Sequence, residues 1–116
     1  VATKNNSSAF GSDNGALGES SSALGHGNLA QALQTTAVGY SNNITEQATN
    51  GSAMGFDNSV ESSHSTAVGA SNKVGPNADG STALGFQNTA NGITSNAIGY
   101  NNTANGQAIA RVRIGH

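Results

Sequence analysis

Cysteine is missing from all 116 residues, which rules out disulfides and thiolate metal sites. Tryptophan is missing too, and proline occurs once. Only Lys4, Lys73, Arg111 and Arg113 are basic, against six acids, for a net charge of −2. That balance offers no footprint for nucleic acid or an anionic membrane surface. No apolar run approaches the length of a membrane-spanning helix, so this chain is not expected to insert directly into a membrane. No signal-peptide pattern opens it either, and an exported protein of this sequence is expected to be a mature segment. Charged residues make up 9% of the chain, too few for the disordered class that so polar a composition otherwise resembles.

What the chain has in abundance is Gly, Asn, Ser and Thr, 57 of the 116 residues, and it arranges them periodically. A small–apolar–Gly tripeptide recurs as Ala9-Phe10-Gly11, Ala23-Leu24-Gly25, Ala37-Val38-Gly39, Ala53-Met54-Gly55, Ala67-Val68-Gly69, Ala83-Leu84-Gly85 and Ala97-Ile98-Gly99. The alanines are spaced 14, 14, 16, 14, 16 and 14 residues apart, and a further step of 16 reaches Arg113-Ile114-Gly115. Three residues after each of the seven glycines stands an asparagine: Asn14, Asn28, Asn42, Asn58, Asn72, Asn88 and Asn102. Two residues beyond each asparagine comes Ala16, Ala30, Ile44, Val60, Val74, Ala90 or Ala104. Agreement at every unit identifies a stacked repeat.

The extra pairs of residues are expected in "TEQATN" (45–50), "GPNADG" (75–80) and "NGQAIA" (105–110), always after the second apolar position. Insertions confined to one place imply one loop on one face of a stack. Stretches such as "STAVG" alternate with period two, which suits a short strand, and the glycine spacing leaves no room for a helix. Each unit therefore reads as strand, turn, strand, turn, one coil of an all-β parallel solenoid. The asparagine is expected in the left-handed backbone region, hydrogen-bonded to its own turn, and also in a ladder from coil to coil, and the glycine either at positive φ or in close backbone approach. A single coil buries so few apolar atoms that an apolar stripe is left over. The pattern leaves open whether the alanines or the larger Val38, Met54, Val68, Leu84 and Ile98 line the interior.

The pattern S-x-A-[VIL]-G-x-x-N, as in "STAVGASN" (65–72) and "STALGFQN" (81–88), resembles the head repeats of trimeric autotransporter adhesins, the YadA-like heads. The resemblance runs from Ala9 to Gly115. It implies a left-handed parallel β-roll of seven to eight coils of 14 or 16 residues, assembled with two identical chains as a homotrimer. It further implies display on a bacterial surface, anchored to the outer membrane by regions outside this chain. Its partner would be a host extracellular-matrix protein or another cell-surface ligand, with no catalysis and no cofactor. Residues 1–8 are expected to be a lead-in or cap, 9–116 the head repeats, and 111–116 the last coil leading towards a neck. The sequence departs from the family before the marker alanine, where Ser8, Ser22, Thr36, Thr66, Thr82 and Asn96 are polar.

Candidate sites are few. His26, His64 and His116 share no register, so they form no ligand cluster. Asp13 and Asp57 do share one, but three coils, roughly 14 Å, separate them, too far for a general acid and base pair. Tyr40, Phe56, Phe86 and Tyr100 each follow a marker glycine. The spacing pairs Tyr40 with Phe56 and Phe86 with Tyr100, either as packing or as weak candidates for a ligand platform. Three other functions fit less well. An acyltransferase helix needs a period of six, an ice-binding face needs an unbroken threonine array, and a passive spacer needs no ligand at all.

Overall fold

The computed structural model describes residues 1–106 and 110–113. Each of its seven full coils pairs a five-residue strand with a two-residue strand. They are Ser8–Ser12 with Gly15–Ala16, Ser22–His26 with Leu29–Ala30, Thr36–Tyr40 with Asn43–Ile44, and Ser52–Phe56 with Ser59–Val60. Thr66–Ala70 with Lys73–Val74, Thr82–Phe86 with Thr89–Ala90, and Asn96–Tyr100 with Thr103–Ala104 follow, and Ala110–Arg113 adds a last long strand. All pairings are between neighbouring coils and parallel, so the long strands form one eight-stranded sheet and the short strands a seven-stranded one. The chain is a parallel β-solenoid of about seven turns, with no helix among the described residues. Its longest dimension, 37 Å, is close to seven strand spacings.

Register is kept by the marker. Ala9, Ala23, Ala37, Ala53, Ala67, Ala83 and Ala97 stand directly opposite one another up the stack. The last coil corrects the sequence reading. Ala97 pairs with Arg111, Ile98 with Val112 and Gly99 with Arg113, a step of 14 rather than 16. The ladder follows the strand's own alternation, with Val112 in the column of Ile98, and the glycine of Arg113-Ile114-Gly115 does not set it. "NGQAIA" (105–110) therefore carries no insertion; residues 107–109 and 114–116, Ile114, Gly115 and His116 included, lie outside the described residues. The other two insertions, 45–50 and 75–80, do fall in the corner after the short strand. Each turns an alanine, Ala48 or Ala78, into the core.

The question of which residues face inward has a plain answer. The marker alanines from Ala23 to Ala97 are fully buried, together with Ala16, Ala30, Ile44, Val60, Val74 and Ala90 from the short strands. Two sheets joined by corners this tight leave room for a methyl group from each long strand and nothing larger. Alternation then forces the residue after each alanine outward.

Each asparagine is buried and held by its side chain. Asn58 Nδ2 donates to Met54 O (2.9 Å), Gly69 O (2.9 Å) and Asn42 Oδ1 (2.9 Å). Its Oδ1 accepts from Asn72 N (3.1 Å) and Asn72 Nδ2 (3.0 Å). The same exchange recurs at Asn28, Asn42, Asn72 and Asn88. The ladder and the bond to its own turn are both present, but the asparagine itself is not in the left-handed region expected of it. The left-handed position belongs instead to the residue before it: Asp13, Gly27, Ser41, Asp57, Ser71, Gln87 and Asn101, with φ between 56° and 68°. The marker glycine does both things expected of it. Gly55 has φ 117°, and a Cβ there would overlap the carbonyl oxygen of Gly69.

A second buried polar column runs along the opposite corner, and the sequence reading gave it no role. Ser21 Oγ donates to Gly18 O (2.6 Å), Thr35 Oγ1 to Ala32 O (2.8 Å), Ser65 Oγ to Ala78 O (3.0 Å) and Ser81 Oγ to Gly92 O (2.7 Å). Just before it, Asn6, Ser20, Gln34, Asn50, His64, Gly80 and Thr94 take left-handed φ.

Two predictions follow from these columns. Asn58→Ala removes two N–H donors shared among three acceptors and strands the backbone N–H of Asn72, so unfolding in denaturant should show a loss of roughly 3 kcal/mol or more. Thr94, β-branched at φ 52°, is strained. Thr94→Asn should raise stability by about 0.5–1 kcal/mol in the same measurement.

Candidate functional site

With alanine inward, the outer face of the long-strand sheet carries three columns. Ser8, Ser22, Thr36, Ser52, Thr66, Thr82 and Asn96 precede the alanines, and the larger apolar residues follow them. Phe10, Leu24, Met54 and Leu84 are exposed by 76, 40, 42 and 40%, while Val38, Val68 and Ile98 are half-buried. So much apolar surface in one line is unusual for a chain that acts alone.

The third column holds the rings. Tyr40, Phe56, Phe86 and Tyr100 all project from this face, exposed by 47, 51, 42 and 38%. Tyr40 stacks on Phe56 with centroids 5.3 Å apart and planes 16° from parallel, and Phe86 stacks on Tyr100 at 5.4 Å and 10°. Packing and accessibility therefore coexist, since each stacked ring keeps between 38 and 51% of its surface exposed. His26 joins the column, stacked on Tyr40 at 5.3 Å and 19°. The sequence groups His26 with the other histidines, outside any ligand cluster, and not with the rings. The signal was its position directly after a marker glycine, the slot that the other four rings share.

The remaining titratable residues stay apart. His26 Nδ1 lies 4.0 Å from Asp13 Oδ2, which also accepts from Ser12 Oγ (3.2 Å). His64 Nε2 is 3.1 Å from Asn50 Nδ2 at the far corner. Lys73 Nζ meets Glu61 Oε1 at 3.4 Å on the short-strand side. Asp57 is three coils from Asp13. Among the described residues no group of three or more His, Asp or Glu is close enough to hold a metal ion, and no enclosed cavity opens on the surface. Ser12 Oγ bonds the exposed Asp13 carboxylate, and His26 faces the same oxygen, so no ring nitrogen is directed at the hydroxyl. What this face offers is a broad, repeated surface for contact.

The geometry defines a class first: a repeat-built β-solenoid that displays a flat, partly apolar sheet. The family model of the YadA head domain repeat (two copies) matches residues 16–42, 47–72, 77–102 and 90–108. These segments span most of the chain, and the protein belongs to the YadA head domain repeat family. This is an adhesin family, not a known enzyme family. No curated protein and no solved structure matches the chain.

The ring column makes a stability prediction. Tyr40 contacts a ring on both sides and Phe86 on one side only. Tyr40→Ala should therefore cost about 1–2 kcal/mol in denaturant unfolding, and Phe86→Ala about half as much.

Proposed function

We propose that the chain is the head of a trimeric cell-surface adhesin, built as a left-handed β-roll, in which three copies cover one another's outer apolar column. The observation that carries this reading is the line from Phe10 through Leu24, Met54 and Leu84, open to solvent on a solenoid of the YadA head family. Burying such a line among three copies removes apolar surface from water along the whole length of the stack. Heads of this family form trimers, and its adhesins are surface-exposed outer-membrane autotransporters. By that likeness the chain is displayed outside a bacterial cell, held by regions beyond this segment, with residues 1–8 as lead-in and 111–116 leading towards a neck.

Adhesion then works by repetition. Each coil presents nearly the same side chains, and three chains multiply them, so weak contacts with a matrix protein or another surface ligand add through avidity. No catalytic step is part of this reading.

Val68 is central to the apolar column and outward-facing. Val68→Lys should leave the fold intact by circular dichroism but convert the trimer to monomer in sedimentation. Retention on immobilised collagen, fibronectin, laminin or glycans should fall at least about 100-fold with it, as avidity is lost. Full retention by the monomer overturns the adhesive mechanism. An intact trimer that retains none of these ligands identifies the head as a spacer.

A further inference from the structure

The ring column is interrupted once. In chain order its positions are His26, Tyr40, Phe56, Ala70, Phe86 and Tyr100, and the pairing places Phe56 opposite Ala70 and Ala70 opposite Phe86. Every neighbouring pair of rings in the column stacks at 5.3 to 5.4 Å. Over Ala70 the two phenyl rings are two strand spacings apart, roughly 10 Å. That separation admits one more ring, in contact with a face on each side. Ala70 forms the partly exposed floor, and Val68 beside it supplies an apolar flank.

The repeat also indicates which ring belongs there. Asp13 sits at the left-handed corner, φ 59°, directly after Ser12, which pairs with His26 of the next coil. Its carboxylate oxygen lies 4.0 Å from His26 Nδ1. Asp57 sits at the same corner, φ 58°, directly after Phe56, which pairs with Ala70 of the next coil. Asp57 thus stands to the gap over Ala70 as Asp13 stands to the imidazole of His26. The first coils are an internal template of the occupied state: a planar ring stacked on its neighbour with a nitrogen edge turned to a carboxylate.

We propose that the gap between Phe56 and Phe86 is a binding slot for a histidine side chain presented by a partner polypeptide. The imidazole inserts between the two phenyl faces, over the Ala70 methyl, with its N–H towards Asp57. Stacking supplies the contact and the carboxylate discriminates an imidazole from a plain phenyl ring. The proposal rests on the adhesive reading only in taking the ring from another protein.

The test uses the full chain with the alanine methyl groups isotope-labelled, titrated with blocked Gly-His-Gly, Gly-Phe-Gly and Gly-Lys-Gly peptides and followed by NMR. The Ala70 methyl resonance should shift saturably with Gly-His-Gly and bind it more tightly than either of the others. Asp57→Asn, which keeps the shape, should weaken Gly-His-Gly by about two- to fivefold and leave Gly-Phe-Gly unchanged. Ala70→His should fill the gap and abolish the shift of neighbouring resonances, with the remaining alanine methyl spectrum reporting that the fold is intact. No saturable shift overturns the proposal, as does equal affinity for Gly-Phe-Gly or an unchanged affinity in Asp57→Asn. If Ala70→His disrupts the spectrum, the peptide comparison and Asp57→Asn still decide. Binding of Gly-His-Gly by a trimer that retains no matrix protein or glycan removes the adhesive reading and leaves the slot standing.

Discussion

The whole architecture depends on one buried amide per coil. An asparagine placed three residues after the marker glycine hands its side-chain carbonyl to the next coil and its N–H groups to its own coil, the next and the previous one. A buried amide left without partners is costly, so a coil slipped by even one residue would leave two such groups unpaired. The ladder therefore acts as a register lock as much as a source of attraction. The glycine belongs to the same device. Its carbonyl accepts the asparagine of the preceding coil, and its missing side chain lets the backbones come close enough for that bond.

With register held by polar groups, the core can be small. Alanine methyls, with Ile44, Val60 and Val74 on the short strands, fill the space between the sheets, and the larger apolar residues are displaced outward. A globular domain would hide Leu24, Met54 and Leu84, but here the interior has no volume for them. The outer apolar column is thus a geometric result of a narrow solenoid, which leaves Leu24, Met54 and Leu84 in contact with water. The ring column beside it arises from the same alternation, one step further along each strand.

Much of this was legible in the residues themselves. The period, the strand assignment, the asparagine ladder, the two ring pairs and the corners at 45–50 and 75–80 all follow from spacing. The direction of the strand faces was not legible, because alanine and valine are both apolar and alternation alone carries no sense of inside. The last coil misled because Gly115 imitates the marker, although Val112 continues the strand alternation. His26 was overlooked because it was counted with polar residues and not with rings. The left-handed corners were invisible because Asp, Ser, Gln and Thr stand at many of them in place of glycine, and the backbone tolerates the strain where hydrogen bonds between coils hold it. The residues of the candidate surface could be placed by register, but what touches them is a property of a second molecule.

The two corner insertions have a consequence for how such a protein changes over generations. Adding two residues at 45–50 or 75–80 leaves both sheets unbroken, and every coil meets only its immediate neighbours. A whole coil can then be duplicated or lost by recombination between near-identical segments, such as those around Ala83 and Ala97, without disturbing the rest. Length becomes a heritable quantity that varies in steps of one strand spacing, while the chemistry displayed on each rung is free to drift.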